Sequence, residues 1–302
     1  MALTPLFGIF LDPTAGDPRE PFRWAKIADD NGLDLLTIQD HPYQWRYYET
    51  WTLLTALAMA TERIHVSPNV ANLPLRLPAV LAKQVATLDA LTGGRVELGL
   101  GAGGFWDAIA AFGGPKRPPA EAYAAFEDAL RILRGMWDNT GKSFTYQGQV
   151  YTVKGAKPGP APAHRIPIWA GAFGPKMLRL TGRMADGLFI SMPYVPPETL
   201  PRVNALVDEG AREAGRSPDA IRRGYNLSGV IRPGAGSVSF PAQPGVIDGT
   251  AGYWAEQITH FYHEYRQDTF IFWGGGDVAQ QLEIFAKEVV PTVKERIAAP
   301  VS

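Results

Sequence analysis

The stretch Leu35-Leu36-Thr37-Ile38-Gln39-Asp40-His41-Pro42-Tyr43-Gln44-Trp45 begins with residues suited to a buried strand, then breaks into a loop holding an acid, an imidazole and an indole. Pro42 has no N–H to give to a strand ladder, so the strand ends before it. Asp40 and His41 therefore stand at or just past a strand's C-terminal end. In a parallel α/β sheet that end is where ligands bind. The neighbouring segments decide which sheet this is.

Upstream, Leu6 to Leu11 reads as a strand. Asp17-Pro18-Arg19-Glu20 reads as an N-cap acid, a first-turn proline and a capping-box glutamate, opening a helix that carries Trp24, Ile27 and Ala28 to Gly32. Downstream, Trp51, Leu54, Leu57 and Ala58 recur at helical spacing. Ile64 to Val70 is a strand with a bulge at Pro68. Pro78 opens a helix with Leu81, Val85 and Leu88 inside, and Gly93-Gly94 closes it before the strand Arg95 to Leu100. The alternation continues through strands at Ile166–Ala170, Gly187–Ser191, Tyr225–Ile231 and Thr269–Trp273, each followed by a helical stripe. Eight strand-then-helix units imply a parallel sheet closed on itself, a TIM (β/α)8 barrel. The chain 1–302 reads as a single domain with insertions at about 139–165 and 232–252. The first contains a hairpin, Phe144 to Tyr146 against Val150 to Val153, and the second is a Gly/Pro/Ser-rich loop.

Composition narrows the function classes. The 302 residues are 46% hydrophobic and 20% charged, with 29 basic and 30 acidic side chains. A formal charge of −1 offers no basic face for nucleic acid or a membrane surface. Without cysteine there is no disulfide, thiolate ligand or thiol nucleophile. No apolar run approaches the roughly 20 residues of a membrane span. The amino-terminal residues lack a leader's basic region and cleavage site, so a cytoplasmic protein is expected.

Three signals carry chemistry. His41 beside Asp40 places a group that titrates near working pH at a barrel mouth, where it can act as base or acid. Trp45 is either a core residue or a ring lying against His41, where it would favour the imidazolium. Gly99-Leu-Gly101-Ala-Gly103-Gly104 matches the dinucleotide fingerprint G-x-G-x-x-G, but it follows the fourth strand and no long helix begins there. It reads better as a glycine-lined strand end that lets a flat ligand approach. Ala170-Gly171-Ala172-Phe173-Gly174-Pro175-Lys176 runs from a strand end to a helix N-terminus, which is either a phosphate site or simply a short loop. There is no H-x-H, H-E-x-x-H or carboxylate cluster with metal-ligand spacing.

The Asp40-His41…Trp45 loop, Ser67-Pro-Asn-Val-Ala71 with Pro78-Ala79-Val80, Gly93 to Gly103, Trp169 to Pro175, Ala185-Asp186-Gly187 and Asp268-Thr-Phe-Ile-Phe272 together resemble the bacterial luciferase-like superfamily of flavin and deazaflavin oxidoreductases. The resemblance spans essentially the whole chain. The Asp-His pair with Trp four residues on looks most like the coenzyme F420-dependent members. It implies that His41 is the proton acceptor or donor and that Asp40 contacts the deazaflavin ring, with Trp45 beside them. It implies a non-proline cis peptide at Asn69–Val70, whose bulge, continuing to Ala71, props the ring from behind. Gly101, Ala102, Gly103 and Asp107 would line the ring's edge. Ala172, Phe173, Gly174, Lys176 and Met177 would take the phosphate tail.

Sugar-phosphate dehydrogenases of the superfamily carry an acid on the glycine loop, where this chain has Gly104. The aromatic residues Phe10, Tyr43, Trp51, Phe105 and Trp106 instead imply an apolar or aromatic small-molecule substrate. The expected reaction is hydride transfer between F420 and a small organic molecule. The alternatives are an FMN-dependent luciferase-like monooxygenase and a non-catalytic flavin-binding barrel, with an NAD-binding Rossmann dehydrogenase weakest. A homodimer is implied by resemblance alone.

Overall fold

The computed structural model describes residues 3–299. Met1 and Ala2, at the start of the segment read above for a leader, lie outside them. In chain order the elements are β1 (Leu6–Leu11), α1 (Glu20–Asp30), β2 (Leu35–Ile38), α2 (Thr50–Met59), β3 (His65–Pro68) and β4 (Ala71–Asn72). There follow α3 (Pro78–Thr92), β5 (Leu98–Gly101), α4 (Trp106–Ala111), α5 (Pro119–Asp138), β6 (Phe144–Gln147), β7 (Thr152–Ala156), β8 (Ile168–Gly171) and α6 (Pro175–Met184). The chain ends with β9 (Gly187–Ser191), α7 (Leu200–Glu213), β10 (Arg222–Arg232), β11 (Ile247–Thr250), α8 (Ala251–Tyr265), β12 (Thr269–Gly274), α9 (Val278–Ile284) and α10 (Val290–Ala298).

The barrel strands run in the order β3-β2-β1-β12-β10-β9-β8-β5-β4, all parallel. The two ends of that order, β3 and β4, are successive halves of one broken strand. The first half pairs with β2 and the second with β5. The break is the cis peptide Asn69–Val70. The Val66–Val96 bridge completes the closure, with Val66 N–H donating to Arg95 O at 2.9 Å and Glu97 N–H to Val66 O at 3.0 Å. The expected TIM barrel is therefore found, and so is the expected cis peptide at Asn69–Val70, which splits the third strand in two.

Period-2 alternation sorts the strands' side chains into two cores. On β1, Phe7, Ile9 and Leu11 join the large cluster between strands and helices, whereas Phe10 joins a small cluster inside the barrel. That inner cluster holds Leu35, Trp169, Phe189 and Ile271, with Trp169 and Phe189 stacked at 4.3 Å. Above it, toward the C-terminal mouth, lies a polar layer. Asn69 Nδ2 donates to Asn226 Oδ1 at 2.9 Å, and Asn226 Nδ2 donates to Ser191 Oγ at 2.8 Å.

The glycines of β5 make room for the broken strand. A Cβ on Gly99 would stand 2.1 Å from the Pro68 carbonyl oxygen, and one on Gly101 would stand 2.7 Å from Val70 Cγ2. Gly171 faces Val70 at 2.8 Å in the same way. The fingerprint-like spacing is thus met by packing inside the barrel. Gly99→Ala pushes on backbone, which cannot rotate aside, so it should cost more than the roughly 1–3 kcal/mol of ordinary overpacking. Urea unfolding checks this, and a loss under about 0.5 kcal/mol would contradict the close approach.

Two local expectations are corrected. Asp17 does not cap α1: Arg19 is the N-cap and the helix begins at Glu20. Asp17 instead accepts from the Arg19 N–H at 3.0 Å and grips its guanidinium, which tightens the turn ahead of the helix. The segment 232–252 is not all loop, because β11 pairs in parallel with the outer end of β10 and α8 starts at Ala251. The first insertion is the expected hairpin, β6 antiparallel to β7 with a bulge. It is tied to α5 through Asp128, which accepts from Tyr146 Oη and from the Val150 and Tyr151 N–H groups.

Candidate active site

The end of β2 puts Asp40 and His41 at the barrel's C-terminal mouth, where the sequence placed them. Their surroundings differ sharply. The Asp40 carboxylate is fully enclosed. It accepts from Arg76 Nε at 2.8 Å and Nη2 at 2.9 Å, and from the Asn72 backbone N–H at 2.9 Å. Asp40 thereby joins the end of β2 to the second half of the broken strand. Arg76 also reaches Glu49 at 2.7 Å and lies over the buried Trp51 ring.

His41 is half-buried and makes no hydrogen bond to Asp40. Its Nδ1 meets Tyr43 Oη at 2.6 Å. The Tyr43 and Phe105 rings each lie with centroids 5.4 Å from the imidazole. Burial lowers the His41 pKa, against the pull of Asp40 and Asp12. Burial and the nearby Asp40 charge push the Tyr43 phenol up to about 12, so it stays protonated at neutral pH. The site therefore presents a neutral imidazole backed by a neutral hydroxyl.

Trp45 is corrected. It is neither core nor against His41, but 83% exposed with Arg46 over its ring at 4.8 Å. The loop turns back through Gln44 N–H to His41 O and Tyr47 N–H to Gln44 O, which throws Trp45 outward. Tyr43 occupies the place beside the imidazole. Asp107 lies on α4, the helix that follows β5. Its side chain is 93% exposed on α4 and paired with Lys116 at 2.6 Å. Gly103 turns with φ +107° so that its α-carbon packs against Trp106 and Pro74.

Beyond β8, Ala172 is buried while Phe173, Gly174 and Lys176 are exposed. Gly174 is the N-cap of α6 and no side chain caps it. Pro175 carries no N–H, so Lys176 and Met177 offer the first free N–H groups. Phe173 meets the Tyr194 ring at 6.3 Å. Asn72, whose N–H holds Asp40, has a buried side-chain Oδ1 with no hydrogen-bond partner.

The sequence missed Arg76 and undervalued Tyr43, Asp12 and Gln39. Asp12 and Gln39 were findable, because each is the next lumen-facing position after Phe10 and Thr37 on paired strands. Among the described residues, no group of three or more His, Asp or Glu side chains could hold a metal ion, and no helix is long and apolar enough to cross a membrane.

A family model described as luciferase-like monooxygenase matches residues 5–263. The chain belongs to this family. An F420-dependent glucose-6-phosphate dehydrogenase of Nocardia farcinica is 31% identical over 245 residues, 79% of this chain and 70% of that protein. The solved structure of an F420-dependent secondary alcohol dehydrogenase, in complex with an F420–acetone adduct, superposes with a TM-score of 0.85 at 22% identity, covering 96% of this chain and 99% of the other. The oxygenating constituent of 3,6-diketocamphane monooxygenase of Pseudomonas putida, a type II Baeyer–Villiger monooxygenase in complex with FMN, superposes with a TM-score of 0.74 at 19% identity, covering 96% and 99%. The last two comparisons bear on the fold. The luciferase-like reading of the sequence, and the oxidoreductase class that goes with it, are borne out.

Proposed function

We propose that this luciferase-like protein transfers a hydride between coenzyme F420 and a small organic molecule, with His41 moving the accompanying proton. The observation that carries the reading is the neutral His41 held through Nδ1 by Tyr43 at a luciferase-like barrel mouth. Relatives that use F420 support the cofactor. When bound, the deazaflavin supplies or accepts the hydride.

The residues present fit such a group. Asn72 Oδ1 offers a buried unpartnered acceptor. The glycines of β5 and Gly171 seat Val70 beneath the mouth. The uncapped start of α6, with Lys176 beside it, suits a phosphate, and a Cβ on Gly174 would meet nothing within 4 Å. Asp40 acts in this reading by positioning, since Arg76 and Asn72 already occupy its carboxylate.

Tyr43 fixes which ring nitrogen faces the substrate. Its hydroxyl can accept from Nδ1–H. Nε2 of the neutral ring is then bare and takes a proton from an alcohol, giving the imidazolium. In the reducing direction the imidazolium returns its Nε2 proton to a substrate oxygen or nitrogen and becomes neutral again. Tyr43, Phe105 and Phe112 form an aromatic rim that favours an apolar or aromatic substrate.

Parallel fluorescence titration with F420 and FMN tests the cofactor. Tight F420 and weak FMN binding is the expected outcome, and the reverse would move the protein to the oxygen-using members. We also propose a homodimer. Met59 on α2 and Leu77, Val80 and Leu91 on or beside α3 are large apolar side chains left exposed on neighbouring helices. Light scattering should give about twice the 32.9 kDa chain mass, and a monomer at micromolar concentration would refute it.

A further inference from the structure

Asp12 follows β1 at the same mouth. It is the next lumen-facing position after Phe10. The Gln39 amide donates to its Oδ1, and Trp273 Nε1 donates to its Oδ2 at 3.3 Å. The Phe10 and Trp273 rings lie 4.8 Å apart beside it. A cavity of about 220 Å³ runs past these three residues to Trp24 and Leu282.

Asp12 is half-buried and differs from most of the enclosed carboxylates in what faces it. Glu97 and Asp89 also lack a Lys or Arg, but Glu97 meets His65 and Trp169 Nε1, and Asp89 meets His164 and backbone N–H groups. Asp40 has Arg76, Asp208 has Arg223 and Arg266, and Asp268 has Arg222. Asp29 and Asp128 each accept several backbone N–H groups. Asp12 meets only neutral donors, and among the described residues no Lys or Arg pairs with it. Burial pushes its carboxyl above the usual range, and the bonds from Trp273 and Gln39, with the nearby His41, offset this only in part. A partly desolvated carboxylate without a counter-charge is costly unless a cation arrives. The Phe10 and Trp273 rings line the same cavity, and aromatic rings attract the same kind of charge.

We propose that Asp12, Phe10 and Trp273 form a subsite for a positively charged nitrogen, so that the substrate is an organic ammonium compound. The proposal rests on the reading that the mouth holds the substrate. Arg76 is already committed to Asp40 and Glu49, so it is not free to hold an anion there.

The test is calorimetric titration of the full chain, with and without F420, using benzylammonium and benzyl alcohol, which match in size and differ in charge. Benzylammonium should bind about tenfold or more tightly than the alcohol. Asp12→Asn should abolish the preference and Asp12→Glu should keep most of it. Equal binding of the two probes by the wild type, or a preference that survives Asp12→Asn, overturns the subsite. Failure to bind F420 would overturn the cofactor reading alone, because the ammonium preference is measured on the apoprotein as well.

Discussion

His41→Ala will lower kcat by about 10²–10⁴-fold while F420 stays bound, the range expected when a positioned acid–base group is lost. The loss should fall on kcat because the imidazole acts where a proton moves, and Asp40, Asn72 and the start of α6 are untouched. In the alcohol-oxidising direction the active form is neutral His41. Burial lowers the His41 pKa, so the acid limb of the kcat profile should lie below the ordinary imidazole value of about 6.5, with activity falling as pH drops through it. Tyr43→Phe removes the partner of Nδ1 and should move that limb, whereas a phenol of purely structural importance would leave it in place. Stopped-flow measurement of F420 reduction across pH checks both variants. Turnover by His41→Ala within about threefold of wild type would remove His41 from the proton step.

The sequence shows most of the barrel because its information is local and periodic. Phe7, Ile9 and Leu11 alternate with Gly8 and Phe10, and Leu81, Val85 and Leu88 recur at helical spacing. Either pattern names its own buried face. The position of His41 was equally legible, since Pro42 ends its strand. What could not be read is whatever depends on a partner far along the chain. Gly99 and Gly101 stood out as glycines, but the groups that require them, Pro68 O and Val70, are visible only once β4 lies beside β5. Trp45 was read from its spacing to His41, yet two reverse turns in the loop decide that Tyr43 takes the place beside the imidazole. Arg76 lies 36 residues from Asp40 in a short loop without periodicity, so nothing in its neighbourhood announced the pair.

That pair yields the largest stability effect expected here. Arg76→Met keeps an apolar stem but removes the guanidinium that lies over Trp51 and pairs with Asp40, whose carboxylate has no solvent exposure. Asp40 would be left with the single Asn72 N–H. Removing one partner of a buried ion pair costs about 3–5 kcal/mol, because the remaining charge is neither hydrated nor compensated. At roughly 2–4 °C per kcal/mol for chains of a few hundred residues, the midpoint should fall by about 6–20 °C. Neutralising the stranded acid should restore part of this, so Asp40→Asn in the Arg76→Met background should be more stable than Arg76→Met alone. The effect should reach function as well. Asp40 precedes His41 and fastens the loop to Asn72, so even a folded Arg76→Met protein should lose turnover through a misplaced imidazole. Calorimetry on the two variants separates the cases. A loss below about 1 kcal/mol would mean that water reaches Asp40 and that its ion pair behaves like a surface one. A large loss recovered by Asp40→Asn would identify the cost as that of an uncompensated buried charge.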